Sequence, residues 1–164
     1  MRNGIIVIFS NWFKNIFYLV AHVLAYCLLK NHFHLLIKTR DFKNENLISK
    51  AFSNLFNAYS KAINKAYGRR GSLFQDRFKR IIVKDEEYLR TLILYIHLNP
   101  MNHNFTDDFA SYNYSSFRPL LLNNYELLDV EGVIDLFGDT ANFKNAHILR
   151  QDEILERDEE LFLE

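Results

Sequence analysis

Two short apolar runs, Val23 to Leu29 and Phe33 to Lys38, are separated by little more than the Lys30-Asn31 pair. Such runs read as β-strands, and the gap leaves room only for a tight turn or bulge. Strands joined this closely pair antiparallel, because a parallel pair needs a long crossover. Ile5 to Phe9 reads as a further strand, and Phe78 to Val83, approached through Leu73-Phe74-Gln75, as another. Asn44 to Ala66 is helical in pattern, with Leu47, Ala51, Leu55, Ala58, Ala62 and Ala66 recurring at three and four residues. Gly68 and Gly71 stop it, with Arg69 and Arg70 between them. Asp85 suits an N-cap, and Glu86 and Glu87 follow where the helix dipole favours acids. That helix carries Tyr88, Leu92, Tyr95 and Asn99 along one stripe and is expected to stop near Pro100. Glu131 to Phe137 reads as a short helix and Phe143 to Leu163 as a charged one. The order predicts an α+β sandwich, with helices on a mainly antiparallel sheet.

The 164 residues suit one domain, 1–164, with an atypical N-terminus over 1–23 and an acidic helix over 143–164. Hydrophobic residues at 49% supply a core and argue against overall disorder. A single cysteine, Cys27, excludes a disulfide framework and a cysteine-only zinc cluster, and suits a reducing compartment. Asn3, Ser10, Asn11, Lys14, Asn15 and His22 interrupt the apolar N-terminus. No clean run of about 18 apolar residues is left to cross a membrane, and no cleavage pattern marks a signal peptide. The expectation is a cytoplasmic protein.

Net charge is zero, but charge is unevenly spread. Lys61, Lys65, Arg69, Arg70, Arg77, Lys79, Arg80 and Lys84 are opposed only by Asp76, whereas Arg150 to Glu164 holds seven acids against two arginines. The basic stretch is interleaved with Tyr67, Phe74 and Phe78, the pairing of phosphate-attracting cations with rings that stack on unpaired bases. A charge run is also, more often, a solvated face.

Two further patterns carry chemistry. In His32-Phe33-His34 a strand would turn both imidazoles to one side, with Cα atoms roughly 6.5–7 Å apart, close enough to share a metal ion. The plain alternative is a polar strand face. In Tyr95-Ile96-His97-Leu98-Asn99-Pro100 the phenol and the amide stand at i and i+4 on one helix face. A phenol there could attack phosphorus while the amide oxygen completes a metal shell; the alternative is an amphipathic core tyrosine.

Taken in order, His32-x-His34, then Gly71-Ser72-Leu73-Phe74-Gln75-Asp76-Arg77-Phe78-Lys79, then Tyr95-Ile96-x-x-Asn99-Pro100 resemble the single-tyrosine HUH transposases. The likeness is greatest to the REP-associated tyrosine transposase branch. Ala25 to Ile37 looks like the family's HUH strand pair, Tyr112 to Phe117 like its aromatic-Ser-Ser-aromatic segment, and Val133 to Phe143 like its tail. The resemblance runs from about Leu24 to the C-terminus. It implies a ferredoxin-like (RRM-like) antiparallel sheet with helices on one face, of the HUH-endonuclease type. It also implies a metal-dependent transesterase that cleaves and rejoins single-stranded, hairpin-flanked DNA through a 5′-phosphotyrosine. Carried over by position, Tyr95 matches the nucleophile, His32 and His34 the metal ligands, and Asn99 a third, helix-borne ligand. The implied cofactor is a divalent metal, Mg or Mn, and the implied partner single-stranded or hairpin DNA bound by a monomer or homodimer. Lys61, Lys65, Arg69, Arg70, Phe74, Arg77, Lys79 and Arg80 would then hold the DNA.

The sequence departs from the family at its start. Residues 1–23 lack the usual aromatic-rich strand and full helix, so a sheet edge is left open unless Ile5 to Phe9 fills it. Two other readings use the same residues: a catalytically impaired DNA-binding relative, and an RNA-binding α+β module.

Overall fold

The computed structural model describes residues 21–30, 32–40, 45–74, 80–123 and 127–162. Among them the elements are β1 (Ala21–Leu28), β2 (Phe33–Thr39), α1 (Glu45–Ala66), α2 (Glu86–Asn102), a single 3-10 turn at Phe109–Ser111, α3 (Phe117–Leu121), α4 (Val130–Asp135) and α5 (Thr140–Phe162). The protein is an α+β chain whose described sheet is the antiparallel pair β1–β2. It divides into two compact units, one from Val23–Ile37 and Val83–Glu164, the other including Lys38–Ile82.

In the larger unit, Leu29 N–H donates to the His32 carbonyl at 2.9 Å and closes the hairpin turn. Val23, Leu24, Ala25 and Cys27 of β1 are all buried, which is why this strand reads as a continuous apolar run. Burial pushes the Cys27 thiol up to about 12, so it stays protonated and unreactive. The edge of β1 away from β2 is covered by irregular backbone from far along the chain. Leu28 N–H donates to Tyr114 C=O, Ser116 N–H to Tyr26 C=O and Asp129 N–H to Val23 C=O, each at 2.9 Å. The segment around Tyr112-Asn113-Tyr114-Ser115-Ser116 thus does the work of an edge partner, and Tyr112 adds its hydroxyl to the Leu28 carbonyl at 2.9 Å. The expected Ile5 to Phe9 strand lies outside the described residues.

Asp85 caps α2 as expected, its carboxylate accepting from Tyr88 N–H at 2.7 Å. The helix does not stop before Pro100 but runs through it to Asn102. Proline removes only the donor to Ile96 C=O this close to the end, and the helix then closes on itself. Phe105 N–H returns to Pro100 C=O and Asn104 N–H to Met101 C=O, both at 2.8 Å, with Asn104 at φ 53°. This is a Schellman closure with asparagine in the left-handed position. A second correction concerns Phe78 to Val83: its described part, Arg80 to Val83, forms no strand. Ile81 and Ile82 are both exposed, so their β-branched side chains gain none of the packing that makes a strand worthwhile.

The core of this unit is aromatic and contains a buried polar chain. Phe109, Phe117 and Phe143 surround His97 and His147. His147 Nδ1 meets Phe143 C=O at 2.7 Å and must donate, because a carbonyl only accepts. His147 Nε2 therefore accepts from His97 Nδ1 at 2.8 Å, and His97 Nε2 accepts from the Ser116 hydroxyl at 2.7 Å. Ser116 Oγ in turn accepts from Tyr26 N–H at 2.8 Å. One tautomer of each imidazole satisfies every group. An added proton on His147 Nε2 would face the His97 Nδ1–H donor.

In the other unit α1 ends as expected. Gly68 takes φ 61°, Arg69 N–H reaches back to Asn64 C=O at 2.9 Å, and the Asn64 amide donates to Gly71 C=O at 2.8 Å. Leu55 and Ile63 are its buried side chains, with Ala51.

Burial lowers both imidazoles of the relay, His97 well below the ordinary value and His147 to about 4. Between pH 6.5 and about 4 the unfolded chain therefore takes up protons that the folded chain refuses. Stability should be whole above pH 6.5 and fall as the solution is acidified, by about 3 kcal/mol from His147 alone. Urea denaturation at pH 7, 6 and 5 checks this; equal stabilities at the three values would contradict it.

Candidate functional site

The hairpin turn and α2 bring together the residues singled out by motif. His32 stands just before β2 and His34 within it, and both rings lie on the same side, centroids 5.1 Å apart and nearly perpendicular. Two imidazoles on one metal, with metal–nitrogen bonds of about 2.1 Å, have centroids roughly 4.6–5.3 Å apart. The pair falls within that range. The Tyr95 ring comes from α2 to 5.4 Å from His34, edge to face. Tyr95 is 44% exposed, unusual for a residue in the middle of a helix stripe with so many buried neighbours. Its ring leans on an imidazole while its surface stays open to solvent.

Asn99, one turn beyond Tyr95, has no accessible surface at all. Both ends of its amide are buried without a hydrogen-bond partner, and so is His34 Nε2. Burying such groups unpaired costs about 1–3 kcal/mol each, so native proteins seldom do it without a reason. The Asn99 amide is close enough to His34 to favour its protonated form, yet no atom pair between them meets hydrogen-bond geometry. Burial lowers the His34 imidazole, the charges of His32 and His103 lower it further, and Asn99 opposes them. His34 is therefore neutral at pH 7, with a lone pair available on one nitrogen.

A divalent cation fits this donor set. Its ligands would be His32, His34 and Asn99, and two of the three orphaned atoms, His34 Nε2 and Asn99 Oδ1, are of the kind that a cation would satisfy, whereas the Asn99 amide nitrogen is a donor that it would not. Imidazole suits manganese better than magnesium, which prefers oxygen. Among the described residues no group of three or more His, Cys, Asp or Glu side chains is placed to hold a metal ion. The set in hand is two imidazoles and an amide.

One residue of the cluster was not expected from sequence. His103, at the C-cap of α2, places its ring 4.9 Å from that of His32. Its signal was present: Tyr95, Asn99 and His103 are spaced i, i+4, i+8. A helix expected to end at Pro100 hides the third member. Lys30, on the hairpin turn, lies over the Phe105 ring at 5.4 Å and adds a positive charge.

The basic residues belong to the other unit. Lys61 and Lys65 are exposed on the last turns of α1, Arg69 and Arg70 on the glycine-flanked turn after it, and Arg80 is exposed further on. Arg77 and Lys79 lie outside the described residues. Phe74 packs edge to face on Phe56 at 5.1 Å and also meets Tyr59 at 6.2 Å. Part of its ring is thereby committed to its own unit; Tyr67 is the more exposed ring.

No protein-family model, curated protein or solved structure matches the chain.

Because Asn99 is buried and unpaired, Asn99→Leu should raise the stability of the metal-free protein by about 1–3 kcal/mol. Thermal unfolding with a chelator present measures it. A loss of stability would show that the amide serves the fold instead.

Proposed function

We propose that the chain is a single-tyrosine HUH strand transferase of ferredoxin-like type, which cleaves and rejoins single-stranded DNA flanked by hairpins. The observation that carries this reading is the meeting of Tyr95 with His34 at 5.4 Å beside an amide, Asn99, buried without a partner. A site of this make-up has a phenol open to solvent beside two buried acceptor atoms, His34 Nε2 and Asn99 Oδ1, that make no hydrogen bond within the protein.

Tyr95 Oη would attack the scissile phosphorus, forming a P–O bond to the phenol as the P–O3′ bond breaks. The electron pair leaves with the 3′ oxygen, which takes a proton, while the phenolic proton passes to solvent. The products are a 5′-phosphotyrosine and a free 3′-hydroxyl. A second 3′-hydroxyl can reverse the exchange without ATP, since the phosphodiester is replaced by another ester of similar energy. A free phenol, with pKa about 10, is a poor nucleophile at neutral pH. The metal, when bound, would supply charge neutralisation at the phosphate. His32 and His34 would orient it from the hairpin, Asn99 from the helix.

Arg69, Arg70, Arg77, Lys79 and Arg80 would hold the strand by its phosphates, with Lys61 and Lys65 beside them and Tyr67 or Phe74 offering a ring to bases. Five phosphate contacts to a single strand imply a log–log salt slope of about −3 to −4, on the order of 100-fold weaker binding between 50 and 200 mM salt. Fluorescence anisotropy on hairpin DNA with unpaired flanks measures this, and a flat slope would remove the basic stretch from the interface.

Incubation of the same DNA with the protein and Mn²⁺ should yield a covalent adduct that survives denaturing electrophoresis. Tyr95→Phe should eliminate it while leaving the anisotropy curve unchanged. Tight DNA binding with no adduct from the unaltered protein would favour the catalytically impaired relative. Preference for RNA of the same sequence would favour the RNA-binding module.

A further inference from the structure

We propose that Lys30, His103 and Phe105 form a nucleotide subsite beside the Tyr95 site, which holds one unpaired nucleotide of a DNA strand by its base and its phosphate. This rests on the reading of the chain as a DNA strand transferase. It goes further by giving the larger unit its own contacts to the strand, apart from the basic residues of the other unit.

A row of rings leads to the subsite from the Tyr95 phenol. His34 comes first at 5.4 Å, then His32 at 5.1 Å, His103 at 4.9 Å and Phe105 at 6.5 Å, each from the ring before it. Lys30 Nζ closes the far end, 5.4 Å from the centroid of Phe105. Tyr95, His103 and Lys30 are exposed and Phe105 is partly so, which leaves both ends of the row open to solvent. Backbone hydrogen bonds fix the far end. The hairpin turn, closed by Leu29 N–H on His32 C=O, carries Lys30, and the Schellman closure of α2 carries His103 and Phe105. The two elements that present His34 and Tyr95 thus present this subsite as well.

Each of the three side chains offers something that a nucleotide uses. The Phe105 ring gives a base a face to stack on, and such stacking tolerates any sequence. The Lys30 ammonium attracts a phosphate, and the His103 imidazole keeps an N–H for a phosphate oxygen in either tautomer. As the side chains stand, the ammonium lies over the ring. A cation–π contact at an exposed site is weak. Lys30 can therefore move on its flexible stem to a phosphate as a base takes the ring. A paired base keeps its faces within the duplex stack and cannot use the ring. The subsite thus selects unpaired strand at the place where Tyr95 acts. A base face and a phosphate are common to DNA and RNA, so competition between the two identifies the source.

Fluorescence anisotropy and photocrosslinking of the full chain test the subsite. On hairpin DNA with unpaired flanks, Phe105→Leu should weaken binding at least about fivefold. Lys30→Met should make the log–log salt slope shallower by about 0.7, and the exposed position of Lys30 lets that variant fold. Affinity and slope equal to those of the unaltered chain in both variants would overturn the proposal. With iododeoxyuridine at successive flank positions, ultraviolet light should join one position to Phe105, in Tyr95→Phe as well, and pairing the flank should abolish the crosslink. Crosslinks that never reach Phe105 would overturn the subsite, and a Tyr95-dependent adduct beside them would leave the strand-transferase reading standing. A Phe105 crosslink with no Tyr95 adduct from the unaltered chain would overturn that reading and keep the subsite. RNA of the same sequence displacing the strand from Phe105 more readily than unlabelled DNA does would overturn the assignment to DNA.

Discussion

The rotation of α2 about its own axis decides everything at the candidate site, and a buried hydrogen-bond chain sets that rotation. His97 points into the core and is held at both ring nitrogens, by His147 of α5 on one side and by Ser116 on the other. Ser116 in turn bonds the backbone of β1 at Tyr26. With His97 so held, Tyr95 is turned to solvent and Asn99 is turned inward. The relay is high-stakes because its members sit in apolar surroundings, where an unsatisfied group costs most. It ties three elements of the larger unit to one arrangement, and a proton on His147 Nε2 would break its link to His97.

From this follows a division of labour along a single helix. Ile93, Ile96 and Leu98 pack, His97 anchors, Tyr95 is presented, and Asn99 is left buried and unpaired. A chain optimised only for stability would not keep an amide and an imidazole nitrogen in that condition. The hairpin contributes the opposite half. Its short turn sets His32 and His34 on one side of the sheet, and β1, buried and paired on both edges, gives them a rigid base.

Much of this was legible in the sequence. The Lys30-Asn31 break predicts the hairpin, the three-and-four spacing predicts α1 to within a residue at each end, and Asp85 with its following acids predicts the start of α2. These are local signals, and local physics suffices for them. The alternation in His32-Phe33-His34 and the i, i+4 spacing of Tyr95 and Asn99 likewise point to side chains that the hairpin and α2 bring near one another. What escaped was tertiary. Pro100 marks a helix end near it, but the Schellman closure carries the last turn two residues further, to Asn102, and sets His103 at the C-cap. Arg80 to Val83 had strand composition but no buried face to use it. The serine pair at Ser115 and Ser116 carried no local sign that it would cover the edge of β1 and complete a relay from His147. Phe74, chosen for its ring, spends part of that ring on Phe56.

Under the proposed function a cation held from the hairpin and from α2 would sit beneath the Tyr95 phenol. Anomalous diffraction from crystals soaked in Mn²⁺ tests it most directly. The account predicts one strong peak at about 2.0–2.3 Å from ring nitrogens of His32 and His34 and from the Asn99 amide oxygen, on the side facing Tyr95. Density showing ordered water alone at His34 Nε2 and Asn99, with no anomalous peak at any Mn²⁺ concentration the crystals tolerate, would contradict it.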